Sequence, residues 1–127
     1  MIKSTATKFL DTSAWVDYFE GSIKITKIVD SDADLATSAI SFLEMRRKLL
    51  REKVSIDVVH KIMDFMENRA SVSDVTQEIA QSAADYSYNQ KLHAVDAVIY
   101  ASAQLVNAVL LTADFDFKGL PGVDFIR

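Results

Sequence analysis

The sequence predicts an α/β domain in which helices flank both sides of a central, mainly parallel sheet. Short apolar segments that suit buried strands alternate with longer segments whose apolar residues recur every three or four positions. Glycine and proline are rare, with three glycines and one proline among 127 residues, which indicates a helix-rich chain. Half of the residues are hydrophobic, enough for the core of one domain that covers residues 1–127.

The N-terminal segment FLDTSAW (9–15) predicts a strand, a turn and a helix. The strand covers residues 8–10, and Trp15 and Phe19 then lie four residues apart, as on one face of a helix. Gly21 ends this helix. Closely spaced apolar residues predict a second helix over residues 22–29 and a second strand over residues 34–37.

The middle of the chain predicts a pair of packed helices. One begins at Ser38 or Ser41, ends near Lys53 and is rich in good helix formers, and the other covers residues 54–70. The remaining predicted elements are a strand at 71–75, a helix at 76–90 capped by Ser73 or Thr76, a helix at 94–108, a strand at 109–112, a turn at 113–117 and an edge strand at 123–126.

Composition and charge exclude several kinds of site. The chain has no cysteine and two histidines, which excludes disulfides, thiolate nucleophiles and cysteine-ligated zinc. No apolar run suits a signal segment or a membrane span, so we expect a cytoplasmic protein. The net charge of −4 disfavours loose binding to nucleic acid, and any such contact requires a cation or a local basic patch.

Four acidic residues lie where strands end or helices begin. Asp11 follows the first strand, and Glu44 lies near the start of the helix after the second strand. Asp96 begins a later helix, and Asp114 follows the last central strand. Because the carboxyl ends of parallel strands meet at one edge, we expect these carboxylates to converge. Their repulsion requires protonation, a basic partner or a cation, and all-oxygen ligands favour Mg²⁺ or Mn²⁺.

Sites of this type perform phosphoryl transfer, as in nucleases and phosphatases. Three segments narrow the choice, and they follow one another along the chain: FLDTSAWVDYF (9–19), TSAISFLEMRRKLL (37–50) and LHAVDAVIYASAQLVNAVLLTADFDF (92–117). Their joint order resembles the PIN-domain ribonucleases, and within that family the toxins of VapBC toxin-antitoxin pairs. The family's usual glycine-containing segment before the third acidic motif is replaced here by NQKLHAVD (89–96).

The resemblance implies a PIN-like fold and an endoribonuclease that hydrolyses RNA with Mg²⁺ or Mn²⁺. It also implies a cognate antitoxin and a homodimer. The family's catalytic and metal-binding acids map onto Asp11, Glu44, Asp96 and Asp114, with Asp116 as a further metal ligand. The hydroxyls that orient metal or phosphate in the family correspond to Ser13 and Thr112.

The segment RRKLLREK (46–53) holds five basic residues and one acid. Helical spacing places Arg47, Lys48 and Arg51 on the face that carries Glu44, where they can contact RNA or the antitoxin. A groove beside this helix would suit an antitoxin segment. The apolar residues that would line it are Phe42, Met45 and Leu49.

Each of the four acids also has an ordinary structural interpretation. Asp11 can cap the helix that follows it. Glu44 can bond the Ser41 amide in a capping box, or pair with a lysine one turn later. Asp96 can interact with the dipole of its helix, and Asp114 can form an Asx turn.

The same residues disfavour two other functions for the chain, a receiver domain and a phosphatase. A receiver domain needs adjacent acids after its first strand and a lysine after a late strand, and LDTS (10–13) and LLTADFDF (110–117) supply neither. The LDTS segment also lacks the second aspartate of a DxDx[TV] phosphatase. The alternative that stays open is a catalytically silent PIN-like scaffold that only binds RNA or protein.

Overall fold

A computed structural model describes residues 7–127 and confirms the predicted α/β architecture, although the first six residues of the predicted domain lie outside this range. Five strands form one sheet in the order β3-β2-β1-β4-β5, and every neighbouring pair is parallel. Within these residues, no helix combines the length and apolarity needed to cross a membrane. In chain order the elements are β1 (Lys8–Leu10), α1 (Thr12–Phe19), α2 (Ile23–Val29), β2 (Leu35–Ser38), α3 (Ala39–Arg51), α4 (Ile56–Arg69), β3 (Ser71–Ser73), α5 (Gln77–Gln90), α6 (Ala94–Leu105), β4 (Val109–Thr112), a one-turn 3-10 helix (Phe115–Phe117) and β5 (Val123–Phe125).

Side chains of the two central strands alternate between the two faces of the sheet. Phe9 and Leu110 belong to a buried cluster with residues of α5 and α6. Leu10 and Leu111, the next residues in sequence, belong to a cluster with residues of α1, α2, α3 and α4. Because successive residues of a strand point to opposite faces, runs of consecutive apolar residues fill both cores and fix β1 and β4 between the helical layers.

The helix boundaries decide between the alternatives that the sequence left open. Ser38 caps α3 and Thr76 caps α5, each with a side-chain oxygen that accepts a backbone amide. The helix predicted to reach residue 108 ends instead at Leu105, because Asn107 adopts a left-handed backbone with φ 54°. The predicted turn at 113–117 contains the one-turn 3-10 helix.

The loop that leads into α6 is built without glycine. Lys91 ends α5 in the left-handed conformation, with φ 58° and ψ 35°. Glycine is the residue that most often takes this position, since it has no Cβ to clash. The Ser87 hydroxyl donates to the Leu92 carbonyl at 2.6 Å, which stabilises the same turn. The segment NQKLHAVD therefore delivers Asp96 to the first turn of α6 in the absence of the family's usual glycine.

Candidate metal centre

The predicted acidic residues gather at the carboxyl edge of the sheet, around the neighbouring strands β1 and β4. Leu10 and Leu111 are register partners, so the residues that follow them, Asp11 and Thr112, lie side by side. The backbone continues this pairing, because the Asp11 amide donates to the Leu111 carbonyl at 3.3 Å. Strand order therefore joins residues that are 101 positions apart in sequence.

The Asp11 carboxylate is 2% exposed and is held by three hydrogen bonds. Oδ1 accepts from the Ser13 hydroxyl at 2.7 Å and from the Ala14 amide at 2.8 Å. Oδ2 accepts from the Thr112 hydroxyl at 2.5 Å. Asp11 is thus the N-cap of α1, as its structural interpretation predicted. An ionised carboxylate has about four acceptor positions. Three are used by these donors, so about one position remains for a metal.

The two hydroxyls that hold Asp11 also hold the loop that carries Asp114. Ser13 Oγ accepts from the Ala113 amide at 2.9 Å, and Thr112 Oγ1 accepts from the Asp114 amide at 2.9 Å. Each hydroxyl donates to the buried carboxylate and accepts from the backbone after β4. Ser13 and Thr112 therefore position both Asp11 and Asp114, which gives their predicted supporting role a structural basis.

Burial raises the pKa of Asp11 to about 6, against an ordinary value of 3.8. The hydrogen bonds from Thr112, Ser13 and Ala14 oppose this rise, and the negative charge of Asp114 adds to it. A carboxylate with this pKa is ionised at neutral pH only because its donors offset much of the desolvation.

Asp96, Asp114 and Asp116 form the tightest acidic group among the described residues. Each offers a carboxylate oxygen, and these oxygens lie within 4.8 Å of one another. Asp96 comes from the first turn of α6. Asp114 caps the 3-10 helix, and its Oδ1 accepts from the Asp116 amide at 2.9 Å. This is the predicted Asx turn, and the tight turn brings Asp116 to the cluster.

The negative charges of all the other predicted acids raise the pKa of Asp96. Its pKa is raised to about 6, first by burial and then by four negative charges. No basic side chain relieves this repulsion, because the one ion pair in residues 7–127 joins Lys48 to Glu52. The acids whose charges act on Asp96, in order of decreasing effect, are Asp114, Glu44, Asp11 and Asp116.

Glu44 approaches the site through a contact that was not predicted. Its Oε1 accepts from the Thr12 hydroxyl at 2.6 Å, and Thr12 Oγ1 lies 3.0 Å from the Ser41 hydroxyl oxygen. The capping-box interpretation is wrong because Ser38 is the N-cap of α3, which begins at Ala39, and Ser41 therefore lies inside the helix. The pairing of Glu44 with Lys48 is also wrong, since Lys48 pairs with Glu52. Glu44 therefore faces α1 and the acidic edge.

The family model described as PIN domain matches residues 8–123 of this sequence. The chain belongs to the PIN domain family. The PIN-like fold predicted from the sequence is thereby confirmed, and no curated protein sequence gave a significant match.

Solved structures agree with this PIN domain over nearly its whole length. A toxin-antitoxin complex from Klebsiella pneumoniae contains a chain with 24% identity and a TM-score of 0.81, and the match covers 94% of this chain and 98% of that one. VapBC2 from Rickettsia felis, bound to a DNA fragment from its promoter, has 15% identity, a TM-score of 0.78 and coverage of 95% and 99%. VapC20 from Mycobacterium tuberculosis, a toxin that cleaves the sarcin-ricin loop, has 19% identity, a TM-score of 0.69 and coverage of 87% and 91%.

The basic residues of α3 lie in two different environments of the PIN domain. Arg47 and Arg51 are exposed and have no ion-pair partner within residues 7–127. Lys48 is half-buried, pairs with Glu52 and lines a cavity of about 220 Å³ with residues of α1 and α4. A contact of these three residues with RNA or antitoxin stays a prediction, and Arg47 and Arg51 are the more available of the three.

The predicted apolar groove beside α3 is divided into two cavities. Met45 and Leu49 line the cavity of about 220 Å³, together with Val16 and Phe19 of α1. Phe42 lines a different cavity of about 400 Å³, because β3 and the middle of α4 enclose the first turn of α3. An apolar groove beside Met45 and Leu49 is thus present, and Phe42 lies outside it.

Thr12 is the site residue that the sequence interpretation missed. The sequence predicts no role for it, whereas its hydroxyl donates to a carboxylate 32 positions away. One signal was available, namely that two consecutive hydroxyl residues, Thr12 and Ser13, directly follow an acid at the end of a strand. Ser13 turns toward Asp11 and Thr12 toward Glu44, so the pair connects two acids of the PIN domain.

We predict that the substitution Thr112→Val lowers the free energy of unfolding by about 2 kcal/mol, because it leaves Oδ2 of the buried Asp11 carboxylate and the Asp114 amide each without a partner. The matched control is Thr112→Ser, which keeps the hydroxyl. Urea unfolding of both variants measures the difference. Equal stability of the two variants would show that the hydroxyl does not hold the site.

We also predict that Asp96→Asn stabilises the metal-free protein. The folded-state pKa of Asp96 is about 6, above its ordinary 3.8, so the folded state binds the proton more tightly and loses stability as the pH rises through this window. In EDTA at pH 7.5, the variant should therefore melt about 3 °C above the wild type, and the difference should shrink as the pH falls from 6 toward 3.8.

In Mn²⁺ the wild type should instead melt at a higher temperature than Asp96→Asn, because the ion stabilises only a folded state that binds it. Thermal unfolding followed by circular dichroism, with and without Mn²⁺, provides the measurement. Asp64→Asn, at an exposed position of α4, makes the same chemical change away from the cluster and should behave like the wild type. Equal stabilisation of wild type and Asp96→Asn by Mn²⁺ would contradict a role of Asp96 in metal binding.

Proposed function

We propose that this PIN domain is a metal-dependent endoribonuclease of the VapC type, the toxin of a toxin-antitoxin pair. The observation that supports the proposal most strongly is the group formed by Asp96, Asp114 and Asp116, whose oxygens lie within 4.8 Å of one another without a basic partner in the described part of the chain. Three unneutralised carboxylates at one edge repel one another, and a bound divalent cation would relieve this repulsion.

The donor set fits Mg²⁺ or Mn²⁺. Every candidate ligand is a carboxylate oxygen, which hard divalent ions prefer, and the chain contains no cysteine. Part of the group is open to solvent, because Asp116 is exposed and Asp96 and Asp114 are half-buried. When bound, the ion lowers the pKa of a water and neutralises the charge of a phosphate.

The residues of the chain take different roles in this proposal. Asp96, Asp114 and Asp116 would hold the ion directly. Asp11 uses most of its acceptor positions on the protein, so it adds negative charge and supplies one ligand position at most. Glu44, oriented by Thr12, adds a further negative charge that acts on Asp96.

Ser13 and Thr112 contribute to the proposed reaction by positioning the acidic residues. Their hydroxyls fix the Asp114 loop relative to the end of β1, and this fixes the distance between Asp114 and Asp11. A phosphodiester placed at the cluster would meet a rigid set of carboxylates, and rigid positioning of reactants contributes several kcal/mol to such reactions, on the order of 7–11 in favourable cases.

RNA is the substrate class that the similar structures favour. The VapC20 protein of Mycobacterium tuberculosis is a toxin that cleaves the sarcin-ricin loop, and its chain has a TM-score of 0.69 to this one. The similar structures also support a protein partner, since the Klebsiella pneumoniae structure is a toxin-antitoxin complex. We therefore propose a cognate antitoxin, and a homodimer as the form that it binds.

The groove between α1, α3 and α4 is our proposed site for the antitoxin segment. Its floor is apolar, with Met45 2% and Leu49 8% exposed, and an amphipathic segment can cover such a surface with its apolar face. Glu20, Lys48 and Glu52 line the same groove, so charged residues of both signs are available at its rim to orient a partner.

We predict that the protein cleaves RNA in Mg²⁺ or Mn²⁺ and loses the activity in EDTA. Asp96→Asn should lower the cleavage rate about 100-fold or more, because it removes a carboxylate from the metal site. The measurement is gel analysis of end-labelled RNAs, one unstructured and one that folds into a stem-loop. Cleavage at internal positions identifies an endonuclease.

The matched control for this experiment is Asp64→Asn, which should cleave at the wild-type rate. Cleavage that persists both in EDTA and in Asp96→Asn rejects the metal-dependent mechanism. RNA binding without cleavage under every metal condition would instead identify the chain as a silent PIN-like binding module.

A further inference from the structure

An exposed aromatic residue lies inside the acidic segment of the site. Phe115 stands between Asp114 and Asp116 in sequence and is 59% exposed, whereas the next aromatic along the chain, Phe117, is completely buried. An exposed phenylalanine costs hydration free energy and gains nothing for the core. Its position at the rim of the metal centre therefore suggests a contact with a ligand.

Phe115 is part of a small surface in which aromatic rings meet cations. Its ring centroid lies 4.9 Å from that of Phe125. Lys118 Nζ lies 5.6 Å from the Phe115 centroid and 5.1 Å from the Phe125 centroid. Arg127 Cζ lies 5.2 Å from the Phe115 centroid. We refer to these four residues, Phe115, Lys118, Phe125 and Arg127, as the aromatic-cationic patch.

The two cations of the patch are not neutralised by acidic side chains. The ion pair within residues 7–127 lies elsewhere, between Lys48 and Glu52. Lys118 and Arg127 are both exposed, so their charges face solvent. In a protein with a net charge of −4, such a pair offers two cationic contacts to an anionic polymer.

The patch is attached directly to the metal centre. Phe125 is the register partner of Thr112, whose hydroxyl binds Asp11. Arg127 Nη1 donates to the carbonyl of Ala113 at 3.4 Å, immediately before Asp114. A nucleotide chain whose phosphate occupies the acidic cluster therefore has the patch within reach of its neighbouring nucleotide.

We propose that the aromatic-cationic patch binds the RNA strand next to the cleaved phosphate. The Phe115 ring, which is 59% exposed, stacks on a base, and Lys118 and Arg127 bind the flanking backbone phosphates. Stacking on an aromatic side chain is tolerant of base identity, so the patch sets the position of the strand and not its sequence. The proposal rests on the proposed function and names the part of the substrate that this surface contacts.

Charge and chemistry favour a nucleotide over a protein segment at this surface. The patch offers one exposed ring flanked by two cations, which matches the alternation of bases and phosphates in a single strand. A peptide would bury more apolar area than this one exposed ring offers, whereas the groove between α1, α3 and α4 supplies an apolar floor elsewhere on the protein.

Fluorescence anisotropy of a labelled single-stranded RNA tests the proposal. All proteins carry Asp96→Asn, which lowers the cleavage rate, so that binding is separated from cleavage. We expect Phe115→Leu to weaken binding about tenfold, because leucine keeps the apolar volume and removes the stacking face. Phe115→Tyr should retain the parent affinity.

The cations are tested through the salt dependence of the same binding. Lys118→Gln and Arg127→Gln should each reduce the slope of log K against log salt by about 0.7, the value for one phosphate contact with a single strand. Lys61→Gln, which removes an exposed cation from α4, should leave the slope unchanged. Thermal unfolding of each variant shows whether the fold is kept, and Lys118→Gln decides the matter if Phe115→Leu unfolds.

The proposal is overturned if Phe115→Leu binds RNA with the parent affinity and Lys118→Gln keeps the parent salt slope. A patch that binds only protein would give this result.

The same measurements distinguish failure of this proposal from failure of the proposed nuclease function. Metal-dependent cleavage by the wild type with patch-independent binding rejects only the patch, and patch-dependent binding without cleavage under any metal condition rejects only the nuclease.

Discussion

Repulsion among carboxylates is the constraint that organises the carboxyl edge of this sheet. Asp96 experiences the negative charges of four other acids, and burial and these charges together raise its pKa to about 6. At neutral pH the fold therefore holds negative charges together at a cost in stability. A structure that only needed helix caps would not require acids from four separate segments at one point. The cost is understandable if a divalent cation completes the site, because the cation converts repulsion into attraction.

The protein holds this unfavourable arrangement with hydroxyl groups. Ser13 and Thr112 donate to Asp11 and accept from the backbone beside Asp114, so one small network ties β1, α1 and the loop after β4. Thr12 makes the corresponding connection to Glu44. Neutral donors can orient a carboxylate without cancelling its charge, which a lysine or arginine would do. The choice of serine and threonine thus preserves the negative charge that would attract a cation.

The sequence predicted the features of the fold and the site that depend on local pattern and strand order. Strand ends and helix starts located Asp11, Asp96 and Asp114, and parallel strand order then placed Asp11 beside Thr112. Features that depend on packing between distant elements were not predictable. The contact between Thr12 and Glu44 requires the docking of α1 on α3.

The sequence also could not show which of two equally spaced residues a side chain contacts. Lys48 can reach a glutamate one turn before it or one turn after it, and only the tertiary structure selects Glu52. The exposure of Phe115 was hidden for a similar reason, since alternation along DFDF does not tell which phenylalanine faces the core.

Anomalous diffraction from crystals soaked in Mn²⁺ would show whether Asp96, Asp114 and Asp116 surround a divalent cation. We expect an anomalous peak between these carboxylates, with oxygen ligands from Asp96 and Asp114, while Asp11 keeps its hydrogen bonds to Ser13 and Thr112. A map without a peak at this position under saturating Mn²⁺, with the three carboxylates turned apart or bonded to basic side chains, would contradict it.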